Sequence, residues 1–228
     1  MNQGAQVLST AGGVLAAQRN RVLRNTYWLL ALSMVPTVLG AWVGVQTGIA
    51  AAMSPGIGLV VFLAGAFGFM FAIEKNKNSA AGVPLLLAFT FIMGLMLSRL
   101  LGVVLGLNNG TGLIMTAFAG TGVIFFGMAA MSSVVKRDLS QMGKFLFIGM
   151  VMLLVAMIAN FFIQSSALMI TLSVLAIGIF SLFILHDLKR VQDGLETNYI
   201  SATLGVYLSI YNVFSNLLAL LGIFGGDD

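Results

Sequence analysis

Seven apolar runs, each close to the ~20 residues an α-helix needs to cross a bilayer, take up most of this chain of 228 residues. They cover residues 27–46, 56–73, 83–106, 112–135, 145–163, 168–185 and 203–222. Inside lipid the backbone has no water to bond to, so such runs persist only as helices that satisfy their own N–H and C=O groups. Transmembrane strands would be about half as long and would alternate in polarity. The fold class is therefore all-α, a polytopic membrane protein of seven transmembrane helices whose first partner is the lipid bilayer.

Composition closes off the alternatives. The chain is 59% hydrophobic and 8% charged, against about 25% charged residues in ordinary soluble domains. Seven spans leave no length for a separate soluble core. We expect a mobile cytoplasmic N-terminal tail over residues 1–24, one seven-helix domain over 25–224 and a short outer acidic tail over 225–228. Residues 1–18 are small and polar, with Gly4, Gly12 and Gly13 and no amphipathic period. The apolar run behind Arg19, Arg21 and Arg24 exceeds the roughly 7–15 residues of a cleaved signal core, so it reads as an uncleaved span. Cys is absent, which removes disulfides and thiolate chemistry.

The formal charge of +4 does not point to nucleic acid, because the bases sit at span ends and not in one patch interleaved with aromatics. Of the eleven Lys and Arg residues, all but Arg99 fall on connections that alternate to one side: Arg19, Arg21, Arg24, Lys75, Lys77, Lys136, Arg137, Lys144, Lys189 and Arg190. The opposite connections, 47–55, 107–111 and 164–167, carry none, and the chain ends in Asp227 and Asp228. The positive-inside rule then sets a cytoplasmic N-terminus and a periplasmic or external C-terminus. Asn109-Gly110-Thr111 matches a glycosylation sequon, and we read that short match as chance.

Polar residues inside the spans carry more information, since lipid penalises each of them. At 100° per residue, Gly205, Ser209, Asn212 and Asn216 share one face of the seventh span, and Tyr207, Tyr211 and Ser215 form a second. A helix with two polar faces belongs inside the bundle, with Val206, Ile210, Val213 and Leu217 packed on neighbours. Its polar groups serve either interhelical hydrogen bonds or a solvated path. Arg99 either snorkels outward or faces a wet cavity near Asn160 and Gln164. His186 and Asp187 end the sixth span, where Asp187 is either a partly buried carboxylate tuned by Arg137, Lys189 or Arg190 or a member of an interfacial ion pair. Small residues four apart, Gly40 to Gly44, Gly44 to Gly48 and Gly102 to Gly106, allow close helix approach within the chain or between two copies. The 14 Met residues read as flexible gap fillers. The sole His186 sits at the inner boundary, no His-x-x-x-His pair exists, and Asp227 and Asp228 lie in the tail, so no catalytic residue, metal or cofactor is assigned and the chain reads as not an enzyme.

Two motifs now become recognisable. Val22-Leu23-Arg24-Asn25-Thr26-Tyr27 opens the first span, and Glu196-Thr197-Asn198-Tyr199-Ile200 precedes Ala202, Tyr207-Leu208-Ser209-Ile210-Tyr211-Asn212 and Leu217-Leu218. Together they resemble the Bax-inhibitor/YccA family, closest to its bacterial YccA-type branch, over Arg19 to Phe224. The resemblance implies a last helix surrounded by the other six. It also implies suppression of stress-induced death or a pH-sensitive calcium leak in some members. In the bacterial branch it implies restraint of the membrane-anchored ATP-dependent protease FtsH, and hence a place in the inner membrane. Leak-type members carry two aspartates that share a proton. Asp187 stands at the first position, whereas Ser209 stands at the second, and a hydroxyl cannot share a proton as a carboxylate does. Two functions follow: an interaction protein that modulates an FtsH-type protease, or a calcium or proton leak lined by Ser209, Asn212 and Asn216 and gated near His186 and Asp187.

Overall fold

Proline, glycine and a few capping side chains set where the helices begin and end. In the computed structural model, which describes residues 2–225, the chain forms α1 (Asn2–Thr47), α2 (Ile49–Ala52), α3 (Pro55–Asn76), α4 (Gly82–Leu105), α5 (Gly110–Val134), α6 (Ser140–Ile163), α7 (Ser166–Gln192) and α8 (Tyr199–Phe224). Gly48, with φ at 66°, breaks the chain out of α1 into the short α2. Pro55 opens α3, where its missing N–H costs no helix bond. Between α6 and α7, Asn160 Oδ1 accepts from the Ser165 N–H at 3.1 Å and Ser165 Oγ accepts from the Leu168 N–H at 3.3 Å, so side chains satisfy a tight turn.

All of these helices except α2 are long and apolar enough to cross a membrane, seven among the described residues. They correspond one to one with the apolar runs, and no strand occurs among the described residues. The protein is an all-α, multi-pass membrane protein. The expected N-terminal tail, residues 1–24, has helical backbone from Asn2, continuous with the first span. Ala, Leu and Gln are good helix formers, and a helix already nucleated in the span can extend without a new nucleus. Met1 and the acidic Asp227 and Asp228 lie outside the described residues.

The helix α8 runs through the middle. It packs against α1, α3, α4, α5 and α7, and the pairs α1 with α4, α4 with α5, α5 with α7 and α7 with α1 close a ring around it. No residue in 198–223 is exposed. Val206 and Val213 are wholly buried, while Ile210 and Leu217 pack partly buried on the core. The expectation of six surrounding helices needs one correction: α6 packs chiefly on α7, outside the ring. Its bulky apolar side chains, Phe145 and Phe162 among them, face outward, where lipid accepts them at no cost.

One wall of the ring depends on close backbone approach. A Cβ added to Gly40 of α1 would overlap the Phe91 carbonyl oxygen of α4, and one added to Gly94 of α4 would overlap the Thr37 carbonyl oxygen of α1. Gly40 and Gly44 thus form a seam inside the chain, where dispersion replaces the hydrophobic drive that lipid does not supply. Gly102 has open space beside it.

Candidate functional site

The Glu196 to Tyr199 motif builds the start of α8. Asn198 Oδ1 accepts from the N–H groups of Ile200 at 2.9 Å and Ser201 at 3.2 Å, a side-chain cap on two otherwise orphaned donors. Its Nδ2 donates to the Lys77 carbonyl at 3.1 Å and to Asn78 Oδ1 at 2.8 Å, which ties α8 to the α3–α4 loop. Glu196 Oε1 accepts from the Asn198 N–H at 2.9 Å and holds that cap in place. The Glu74 carboxylate, 2.8 Å from Lys77 Nζ, raises the lysine pKa above its ordinary value.

The first-span motif meets this junction from the other side. Val22 packs with Val191 and Ala202, and Leu23 and Tyr199 flank that patch. Thr203 Oγ1 lies 3.4 Å from the Thr26 carbonyl. The Tyr27 ring meets Phe125 edge-on at 6.3 Å. Asn25 is partly buried and Arg24 is exposed. Two motifs some 170 residues apart in sequence thereby become one junction at the basic end of the molecule.

His186 and Asp187 sit just inside that end. Successive residues on a helix point about 100° apart, so α7 turns the His186 ring to Gly143 of α6 and the Asp187 carboxylate to Gly205 of α8. His186 Nε2 lies 2.6 Å from the place a Cβ on Gly143 would take, and Asp187 Oδ2 lies 2.8 Å from that on Gly205. His186 Nδ1 and Asp187 Oδ1 are 3.2 Å apart. Two of the three basic partners expected for Asp187 are engaged elsewhere, Lys189 Nζ with Asp193 at 2.6 Å and Arg190 Nη2 3.9 Å from Glu196, and Arg137 forms no ion pair with Asp187 among the described residues. Lys189 and Asp193 are four apart and share a helix face, whereas Asp187 points away from both.

Along α8, most polar side chains bond to their own helix. Ser209 Oγ donates to the Gly205 carbonyl at 3.0 Å, Asn212 Nδ2 to that of Leu208 at 2.8 Å, and Asn216 Nδ2 to that of Asn212 at 2.8 Å. Besides the bond from Thr203 to the Thr26 carbonyl, the bonds from α8 to other helices come from the tyrosines. The Tyr207 hydroxyl lies 2.9 Å from Thr37 Oγ1 and donates to the Thr90 carbonyl at 3.4 Å, and the Tyr211 hydroxyl donates to the Met93 carbonyl at 3.3 Å. Arg99 is far from all of this. Its Nη1 donates to the Met53 carbonyl at 3.4 Å, in the connection between α2 and α3, while Asn160 serves the α6–α7 turn.

The structure thus brings Asp187 and Ser209 together at Gly205, turns the neighbouring His186 to Gly143, spreads Asn212 and Asn216 further along α8, and leaves Arg99 apart. Sequence reasoning missed Gly143, Gly205 as the seat of a carboxylate, Thr37 and Thr90. The two glycines carried no signal, because a vacancy for a neighbour's side chain shows only in three dimensions. Tyr207 did carry one, as a hydroxyl that must find a partner in lipid.

This geometry defines a class: a seven-span helical membrane protein built around an enclosed, polar C-terminal helix, with no metal-holding cluster of His, Asp and Glu among the described residues. The sequence matches the family described as inhibitor of apoptosis-promoting Bax1 over residues 19–226, and the chain belongs to that Bax-inhibitor family. It is 36% identical over 208 residues to the Escherichia coli K12 protein named modulator of FtsH protease YccA, covering 91% of this chain and 92% of that protein. The protein of E. coli O6:H1 named inner membrane protein YccA matches to the same extent, 36% over 208 residues, with the same 91% and 92% coverage. A membrane protein of Vibrio cholerae serotype O1 is 37% identical over 211 residues, covering 92% of this chain and 93% of that protein.

Proposed function

We propose that this protein modulates a membrane-anchored ATP-dependent protease of the FtsH type in a bacterial inner membrane, and through it the turnover of membrane proteins. The observation that carries the reading is the similarity to the protein named modulator of FtsH protease, 36% identity over 91% of this chain. The architecture supports it. α1 is 46 residues long, more than twice the ~20 a span requires, so its N-terminal part extends beyond the membrane as a handle on one seven-span domain. It leaves at the basic end, which we place in the cytoplasm with the C-terminus outside. The protein acts by binding, without chemistry of its own.

The leak reading gains no such support. Ser209 directs its hydroxyl at the Gly205 carbonyl, and Asn212 and Asn216 direct their side-chain amides at carbonyls of their own helix. Co-purification with the protease from detergent extracts is expected, and deletion of residues 2–18 is expected to abolish it while the unfolding temperature of the remaining protein stays the same. Failure of the full-length chain to retain the protease would overturn the proposal. Tags at the two termini should be reached from opposite compartments.

A further inference from the structure

At the basic end, a cavity of about 250 Å³ opens between the start of the α1 span and the α7–α8 loop, lined by Gln18, Arg19, Val22, Asp193, Glu196 and Thr197. Its charges are of both signs and are not closed on one another. Arg19 donates one bond, from Nη1 to the Gln192 carbonyl at 3.3 Å, and forms no ion pair with either carboxylate of the cavity among the described residues. Asp193 uses Oδ1 toward Lys189, and Glu196 uses Oε1 toward the Asn198 N–H with its Oε2 3.9 Å from Arg190 Nη2. The second oxygen of Asp193 and most of the guanidinium's five donors remain available. Gly194, at φ 77°, shapes the floor: its missing side chain lets the Arg19 stem pass 3.1 Å from the place a Cβ would take. That contact holds the guanidinium at the cavity.

The cavity also lies at the basic end of the molecule, next to the start of the first apolar run. Val22 lies just before the first apolar run and is buried, Asp193 caps the polar last turn of α7, and Trp28, near the start of that run, is exposed within three turns of Arg19 on α1. Exposed Trp marks the interface, where an apolar chain and a charged head must be accommodated together. A purely anionic ligand would leave the second oxygen of Asp193 without a donor, and a purely cationic one would meet Arg19. A ligand carrying a phosphate and a primary ammonium a few ångströms apart satisfies both.

We propose that this cavity binds a zwitterionic aminophosphate of the phosphoethanolamine type, with Arg19 holding the phosphate and Asp193 and Glu196 accepting from the ammonium. The guanidinium offers the phosphate two parallel N–H donors. The carboxylates require an ammonium that still has N–H groups, which a quaternary choline lacks. The ligand's source is either a membrane aminophospholipid or the free headgroup in solution.

The test uses the full-length protein in detergent, with binding of short-chain phosphatidylethanolamine, phosphatidylcholine and phosphatidylglycerol and of free phosphoethanolamine measured by native mass spectrometry. Phosphatidylethanolamine is expected to bind about tenfold more tightly than the other two lipids, the scale of one charge-assisted hydrogen bond. Arg19→Gln should weaken it by a similar factor, whereas Asp193→Asn should erase the preference over choline and leave phosphate binding in place. Binding of free phosphoethanolamine as tight as that of the lipid assigns the site to a soluble ligand, and binding of the lipid alone assigns it to the membrane. Equal retention of all three lipids, preference for phosphatidylglycerol, or an unchanged preference in both variants would overturn the proposal. Thermal unfolding of each variant verifies that it is folded, and none of these outcomes depends on a protease partner.

Discussion

Two helices of nearly equal length, α6 with 24 residues and α8 with 26, occupy opposite environments, and the more polar of them is the buried one. The helix α8 carries Thr203, Tyr207, Ser209, Tyr211, Asn212, Ser215 and Asn216 in its length and has no exposed residue before Phe224. α6 carries Asn160 near one end, and its Phe162 is 76% exposed. In water the order would be reversed, because apolar surface is what water expels. In lipid an apolar surface is already at home, so the helix with hydroxyls and amides to satisfy goes to the centre and the oily one goes to the rim.

Substitutions that sharpen this contrast can be ranked by thermal unfolding in one detergent. Gly94→Leu should have the largest effect, because the side chain would have to displace the Thr37 carbonyl and pry α1 from α4; a loss of roughly 3 kcal/mol or more, seen as failure to recover folded protein, is expected. Val213→Phe, at a position of zero exposure on α8, should cost about 1–3 kcal/mol through overpacking. Next comes Tyr207→Phe, which removes the hydroxyl between Thr37 and Thr90 and should cost ~0.6–1.7 kcal/mol, the range of interhelical hydrogen bonds in membranes. Smallest is Val155→Phe on α6, where the side chain is 61% exposed and the change should stay within about 0.5 kcal/mol. Equal losses for Val213→Phe and Val155→Phe would break the distinction between the two helices.

The same contrast explains how much could be read in advance. The seven spans were legible because about 20 apolar residues in a row have few other fates, and the central place of α8 was legible because Ser209, Asn212 and Asn216 cannot face lipid at no cost. The site was only half legible. Asp187 was visible as a carboxylate near the end of a span, but its neighbours proved to be His186 and the bare backbone of Gly205, because Lys189 lies on the helix face of Asp193. Arg99 was visible as a cation in a span, whereas its partner, the Met53 carbonyl, is a backbone group and leaves no mark in a sequence.

By itself, the order of residues determined solvent, helix number and which helix is too polar for the rim, since these follow from free energies summed over single segments. Tertiary structure alone decided that α6 packs chiefly on α7 and outside the ring around α8, that Gly40 and Gly94 lock α1 to α4, and that two motifs at opposite ends of the chain join at one cavity beside Arg19. Those features depend on the shapes of pairs of surfaces, and a pair interaction is not written in either partner's sequence.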